Sequence, residues 1–152
     1  MIVVDTNVTS ELMRPSPSPA VSAWLRAQNP NELHTTAVTA AEIGYGISRL
    51  PDGHRRDLLA DAAVGIFSAF SEHVLPFDVA AAAEYAGIVV NRERAGSPIN
   101  GFDAQIASIC RRHQAVLATR NVKDFAGTGI DLTNPWQQGP PTPPEPSANI
   151  DH

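Results

Sequence analysis

Ile2-Val3-Val4-Asp5-Thr6-Asn7 is the stretch whose reading decides the fold. Three consecutive aliphatic residues without alternation describe a short strand buried on both faces, which is the habit of parallel sheets covered by helices on each side. Asp5 directly after such a strand places a carboxylate at the carboxyl end of the sheet, close to the core, where a charge has to be compensated. Working outward, Ser10 is expected to cap a short helical turn before Pro15. Pro19 starts a helix with Val21, Trp24 and Leu25 on one face, ended by Asn29-Pro30-Asn31. Leu33 to Val38 reads as a second strand. Thr39 is expected to cap a helix that buries Ile43, Ile47 and Leu50 and stops at Pro51-Asp52-Gly53. Leu58 to Phe70 continues a helical period and reads as core. His73 to Pro76 gives a brief third strand, and Asp78 caps an Ala-rich helix reaching about Arg94. Asp103 falls in the first turn of a helix running to Arg112. Ala115 to Thr119 and Ile130 to Thr133 complete the strands. Strands alternating with helices predict an α/β chain, a three-layer α/β/α sandwich around a mostly parallel sheet of about five strands.

The 152 residues suit one domain, expected over 1–136. The segment 137–152 carries five prolines and one branched apolar residue, and reads as a flexible tail. The net charge of −5 excludes a protein that grips nucleic acid mainly through a large positive field, while leaving room for carboxylate chemistry on nucleic acid. A single cysteine, Cys110, excludes a disulfide framework and zinc sites built on paired thiolates, and it reads as a small core residue. The apolar start is too short for a signal-peptide core. Glu84 interrupts the longest apolar tract, so no membrane contact is expected and the cytoplasm is the expected compartment.

Four acids stand in contexts that structure alone does not require. Asp5 closes a strand, Glu42 and Asp103 sit early in helices, and Asp124 follows the fourth strand. Singly, each has a plainer reading as a cap, a helix-dipole partner or a turn residue. Together, a parallel sandwich can bring all four to one end of the sheet, where clustered carboxylates are tolerated when a divalent cation neutralises them. Oxygen-only donors favour Mg²⁺ or Mn²⁺. The five histidines show no paired ligand spacing, the Gly44/Gly46 pair lacks a phosphate-loop lysine, and no nucleophile elbow occurs. Arg92, Arg94, Arg111 and Arg112, near helix C-termini, read as solvated partners of the helix dipoles.

Val4-Asp5-Thr6-Asn7, Thr39-Ala40-Ala41-Glu42-Ile43, Asp103-Ala104-Gln105-Ile106-Ala107, Ala118-Thr119-Arg120-Asn121-Val122-Lys123-Asp124-Phe125 and Asn134-Pro135-Trp136 occur in an order and spacing that resembles the PIN-domain family. Within it they are most similar to the VapC-type toxins, the FitB-like branch included. The resemblance implies a parallel-sheet fold and a Mg²⁺-dependent ribonuclease, with Mn²⁺ able to substitute. Asp5, Glu42 and Asp103 match the family's acidic positions. The fourth position falls on Asp124 or on Asn121, and Thr6 matches a hydroxyl that supports the metal site. On this reading metal-activated water hydrolyses the RNA phosphodiester, and Arg14, Arg49 and Arg120 are candidates for the RNA backbone. The resemblance also implies a homodimer and a cognate antitoxin that contacts DNA on the toxin's behalf. The antitoxin's apolar anchors are expected in a groove near Trp24, Ile47 and Leu50. Two other readings remain at this point: a haloacid-dehalogenase-like phosphatase with Asp5 as nucleophile, in which Asn7 replaces the usual second Asp, and a non-catalytic module that uses metal only for docking.

Overall fold

A computed structural model describes residues 1–137, and the expected tail lies outside them except for Gln137. The strands are β1 (Ile2–Val4), β2 (Leu33–Thr36), β3 (Val74–Leu75), β4 (Val116–Ala118) and β5 (Leu132–Thr133). They form one sheet in the order β3-β2-β1-β4-β5, with every pairing parallel. The helices are α1 (Thr6–Leu12), α2 (Pro19–Arg26), α3 (Ala37–Ser48), α4 (His54–Phe70), α5 (Val79–Arg94), α6 (Gly101–His113) and the single turn α7 (Val122–Phe125). The expected three-layer sandwich is what the chain forms. Among the described residues no helix is long and apolar enough to cross a membrane.

Alternation along β1 divides the core in two. Val3 joins Ala81, Ile88, Ile106, Ile109, Cys110 and Leu117 under α5 and α6. Val4 joins Val8, Val21, Trp24 and Ala118 under α1 and α2. Both faces of the central strand are thus sealed, as the unbroken aliphatic run requires, and Cys110 is a fully buried core residue as expected. Burying each of these Val, Leu and Ile side chains stabilises the fold by about 1.5–3 kcal/mol.

Several local expectations are corrected. The first helix is capped by Asp5, whose carboxylate accepts from Val8 N at 2.9 Å, and Ser10 lies inside that helix. β2 ends at Thr36, and it is Thr36, accepting from Thr39 N at 3.0 Å, that caps α3. Ile43 is buried there, while Ile47 and Leu50 are half-buried. α4 has the expected period but contains no fully buried residue, and Leu58 and Val64 are 55% and 69% exposed. Its apolar residues are therefore half-buried or exposed, with half-buried Phe70 packing against the Val4 cluster. Asp78 caps α5 as expected, accepting from Ala81 N at 2.8 Å.

The strand order reverses direction between β1 and β4, which makes the space beyond their carboxyl ends the topological switch point, the usual ligand crevice of an open parallel sheet.

Candidate active site

Asp5 follows β1, and Thr119, Arg120 and Asn121 follow β4, so these residues stand at the mouth of that crevice. A pocket of about 250 Å³ opens there, lined by Asp5, Thr6, Glu42, Asp103, Asn121 and Asp124 together with Asn7, Asn100, Ile106 and Phe125. All four carboxylates singled out in the sequence line it, as do both contenders for the fourth position.

Each carboxylate is held by a local device. Asp5, only 3% exposed, caps α1, so its orientation is set by the helix it starts. Burial is the largest influence on its carboxyl, pushing it from the ordinary 3.8 up to about 6; hydrogen bonds from Thr119, Val8 and Asn7 pull the other way, and Asp103 adds a small repulsion. The Thr6 hydroxyl donates to Glu42 Oε1 at 2.9 Å and lies 3.3 Å from the Thr39 hydroxyl, which joins α1 to α3. Asn100 caps α6 by accepting from Asp103 N at 2.9 Å, and its amide nitrogen donates to Asp103 Oδ2 at 2.8 Å. Burial raises the Asp103 carboxyl, and Glu42 and Asp124 raise it further, against the Asn100 hydrogen bond and the charge of Arg92. All four acids thus interact electrostatically through Asp103.

Arg92 departs from the sequence expectation. It is 7% exposed, and its guanidinium donates to Ser97 O (2.6 Å), Asp124 O (2.9 Å) and Ala126 O (2.6 Å). It is a buried clamp that fixes the turn carrying Asp124 to α5. Arg111 also has a partner, pairing with Glu84 of α5 at 3.1 Å. Asn100 was likewise not singled out by sequence reasoning, although an Asn three residues before an acid at a helix start is a capping signal.

The donors suit a hard divalent cation: they are all oxygen, they carry excess negative charge, and at Asp5 and Asp103 burial and neighbouring carboxylates disfavour that charge. Among the described residues, no three His, Cys, Asp or Glu side chains converge closely enough to hold one ion as placed. Glu42 and Asp103 instead engage Thr6 and Asn100.

A PIN domain family model matches residues 2–129. The chain belongs to the PIN domain family. This membership removes the ground for the haloacid-dehalogenase reading. The chain is 38% identical over 138 residues to the VapC ribonuclease Y4jK of Sinorhizobium fredii, covering 90% of this chain and 99% of that one. It is 34% identical over 137 residues to the toxin FitB of Neisseria gonorrhoeae, with the same coverage. Its fold superposes on a FitAB complex bound to an IR36 DNA fragment with a TM-score of 0.84 at 33% identity, covering 93% of this PIN-domain chain and all of that chain.

Of the residues expected near a partner groove, Ile47 and Leu50 are half-buried. Trp24 is buried. An apolar groove of about 480 Å³ is lined by Leu12, Leu25, Leu33, Ile66 and Phe70, between α1, α2 and α4. Of the expected RNA-contacting arginines, Arg14 pairs with Glu11 at 3.2 Å, Arg49 lies over Tyr45, and Arg120 lies over Trp136.

Proposed function

We propose that this PIN-domain protein is a metal-dependent endoribonuclease acting in the cytoplasm as the toxin of a toxin–antitoxin pair. The observation that carries the reading is the gathering of Asp5, Glu42, Asp103 and Asp124, from four separate segments, in one pocket at the switch point. The similarity to a VapC ribonuclease over nearly the whole domain supports the chemistry. When bound, Mg²⁺ or Mn²⁺ neutralises these carboxylates, lowers the pKa of its water and offsets charge on the phosphodiester. The chain's own residues position the donors. The α1 N-terminus orients Asp5, Thr6 orients Glu42, Asn100 orients Asp103, and Arg92 holds the turn that presents Asp124.

The same reading assigns the groove between α1, α2 and α4 to the apolar anchors of an antitoxin, through which DNA is contacted indirectly. The similarity to a toxin in a solved toxin–antitoxin complex supports this assignment. An arginine from that antitoxin would match the carboxylate pocket in charge and planar geometry. Exposed Leu58 and Val64 supply apolar surface for a homodimer. The test is sequencing of RNA 5′ ends after induced expression of wild type and Asp5→Asn, together with cleavage by purified protein in Mg²⁺ and in EDTA. New 5′ ends in the wild type alone are expected. Equal cleavage by the variant, or cleavage undiminished in EDTA, would overturn the reading.

A further inference from the structure

A second cavity, of about 390 Å³, adjoins the carboxylate pocket and shares Asn7 and Asn121 with it. Its other lining residues are Ser10, Glu11, Arg14, Arg120 and Trp136. Three features give it a definite chemistry. Trp136 is held in place on one side, because its amide donates to Asn134 Oδ1 at 3.0 Å and its ring packs against the core cluster of Val4, Val8, Val21, Trp24 and Ala118. Arg120 projects from the turn that Asn121 N closes on the Thr119 hydroxyl at 3.0 Å, and its guanidinium carbon lies 5.1 Å from the centre of the indole ring. No carboxylate among the described residues is within ion-pair distance of Arg120. Arg14 is tethered at the cavity's edge by Glu11, whose second task is to accept from Ser18 N at 2.8 Å.

A planar cation backed by an indole, beside a tethered second arginine, offers two things. The guanidinium plane gives a flat face on which a nucleobase can stack, and the N–H edges give donors for a phosphate. We propose that this cavity is a nucleotide subsite. It takes the nucleotide flanking the scissile phosphate of a single-stranded RNA, with the base on the Arg120–Trp136 pair and the phosphate on Arg14. The inference rests on the nuclease reading only for its substrate class. The subsite explains how an acidic chain retains an anionic strand next to its own carboxylates, since a stacked base adds affinity that does not depend on net charge.

The experiment is metal-independent. Binding of a short labelled single-stranded RNA is measured by anisotropy in EDTA, using the intact oligonucleotide and a set in which one base at a time is removed. Wild type is expected to lose about tenfold in affinity when the stacked base is missing. Arg120→Gln, at an exposed position, is expected to bind the intact oligonucleotide about tenfold more weakly and to be insensitive to base removal. Its salt dependence should stay that of wild type, whereas Arg14→Gln, which removes the phosphate contact, should make the log–log slope shallower by about 0.7. Trp136→Leu should behave as Arg120→Gln does, with Trp136→Phe restoring part of the loss. Trp24 is buried, so an RNA-induced change in tryptophan emission that disappears in Trp136→Leu is a second expected readout. Affinity indifferent to both residues and to base removal would overturn the subsite. Base-dependent binding without cleavage in any metal would sink the nuclease reading while sustaining the subsite, and cleavage without base-dependent binding would do the reverse.

Discussion

Replacing Asp5 by Asn separates what the carboxylate does for the site from what it does to the fold. Its carboxyl, 3% exposed, stands at about 6 against an ordinary 3.8. A gap of about two pH units corresponds to about 3 kcal/mol at 1.36 kcal/mol each. The folded value lies above the unfolded one, so between pH 3.8 and about 6 the native chain keeps a proton that the unfolded chain has released. Stability therefore falls as pH rises through that window, and the deficit is complete above it. Asn cannot ionise, yet it retains an oxygen for the Val8 amide and caps a helix as well as Asp. One lost acceptor, toward Thr119 or Asn7, returns about 1 kcal/mol. Metal-free Asp5→Asn is thus expected to be about 2 kcal/mol more stable than wild type at pH 7.5, about 5 °C in melting temperature, to cross it near pH 4.5, and to be about 1 kcal/mol less stable near pH 3.5. Urea denaturation in EDTA across pH 3.5 to 8 measures the difference directly. A variant less stable than wild type at pH 7.5, or a gap that does not change with pH, would refute the reasoning. The cause also differs from the simple expectation for clustered acids, because burial outweighs repulsion from Asp103.

Arg92→Met should lower stability by about 1–3 kcal/mol and weaken Mn²⁺ binding, and Arg92→Lys should recover much of the stability but little of the metal affinity, because one ammonium cannot span three carbonyls; denaturation and Mn²⁺ titration check this. Asp124→Asn should reduce RNA cleavage more than Asn121→Ala, because Asp124 already acts on the Asp103 carboxyl through its charge. The opposite order in a cleavage assay would assign the fourth position to Asn121. A chain ending after Trp136 should keep its melting temperature and its cleavage activity, since among the described residues both core clusters are built from residues 2 to 136.

The order of elements and the four acids were legible because they are written in local pattern. Ile2-Val3-Val4 needs two covered faces, Asp78 before an Ala-rich run needs a helix to cap, and carboxylates after strands or early in helices fall at one end of a parallel sheet. What was not legible depends on distance in the chain. Arg92 binds backbone carbonyls at Asp124 and Ala126, and a carbonyl has no signature in sequence. Thr36 and Thr39 are equally good caps until the length of β2 is known. The period of Leu58 to Phe70 shows that α4 is helical, but periodicity does not show whether its apolar stripe meets a partner within the same chain.

The position of β1 at the centre of the sheet has a consequence in time. During synthesis the first strand and Asp5 emerge at once, but the neighbour that completes β1, and the turn with Asp124, come more than a hundred residues later. Parallel pairings of this sequence separation also form slowly. A nascent chain therefore carries Asp5, Glu42 and Asp103 without the strand that aligns them, and the pocket they share with Asp124 assembles only when α7 has left the ribosome and docked.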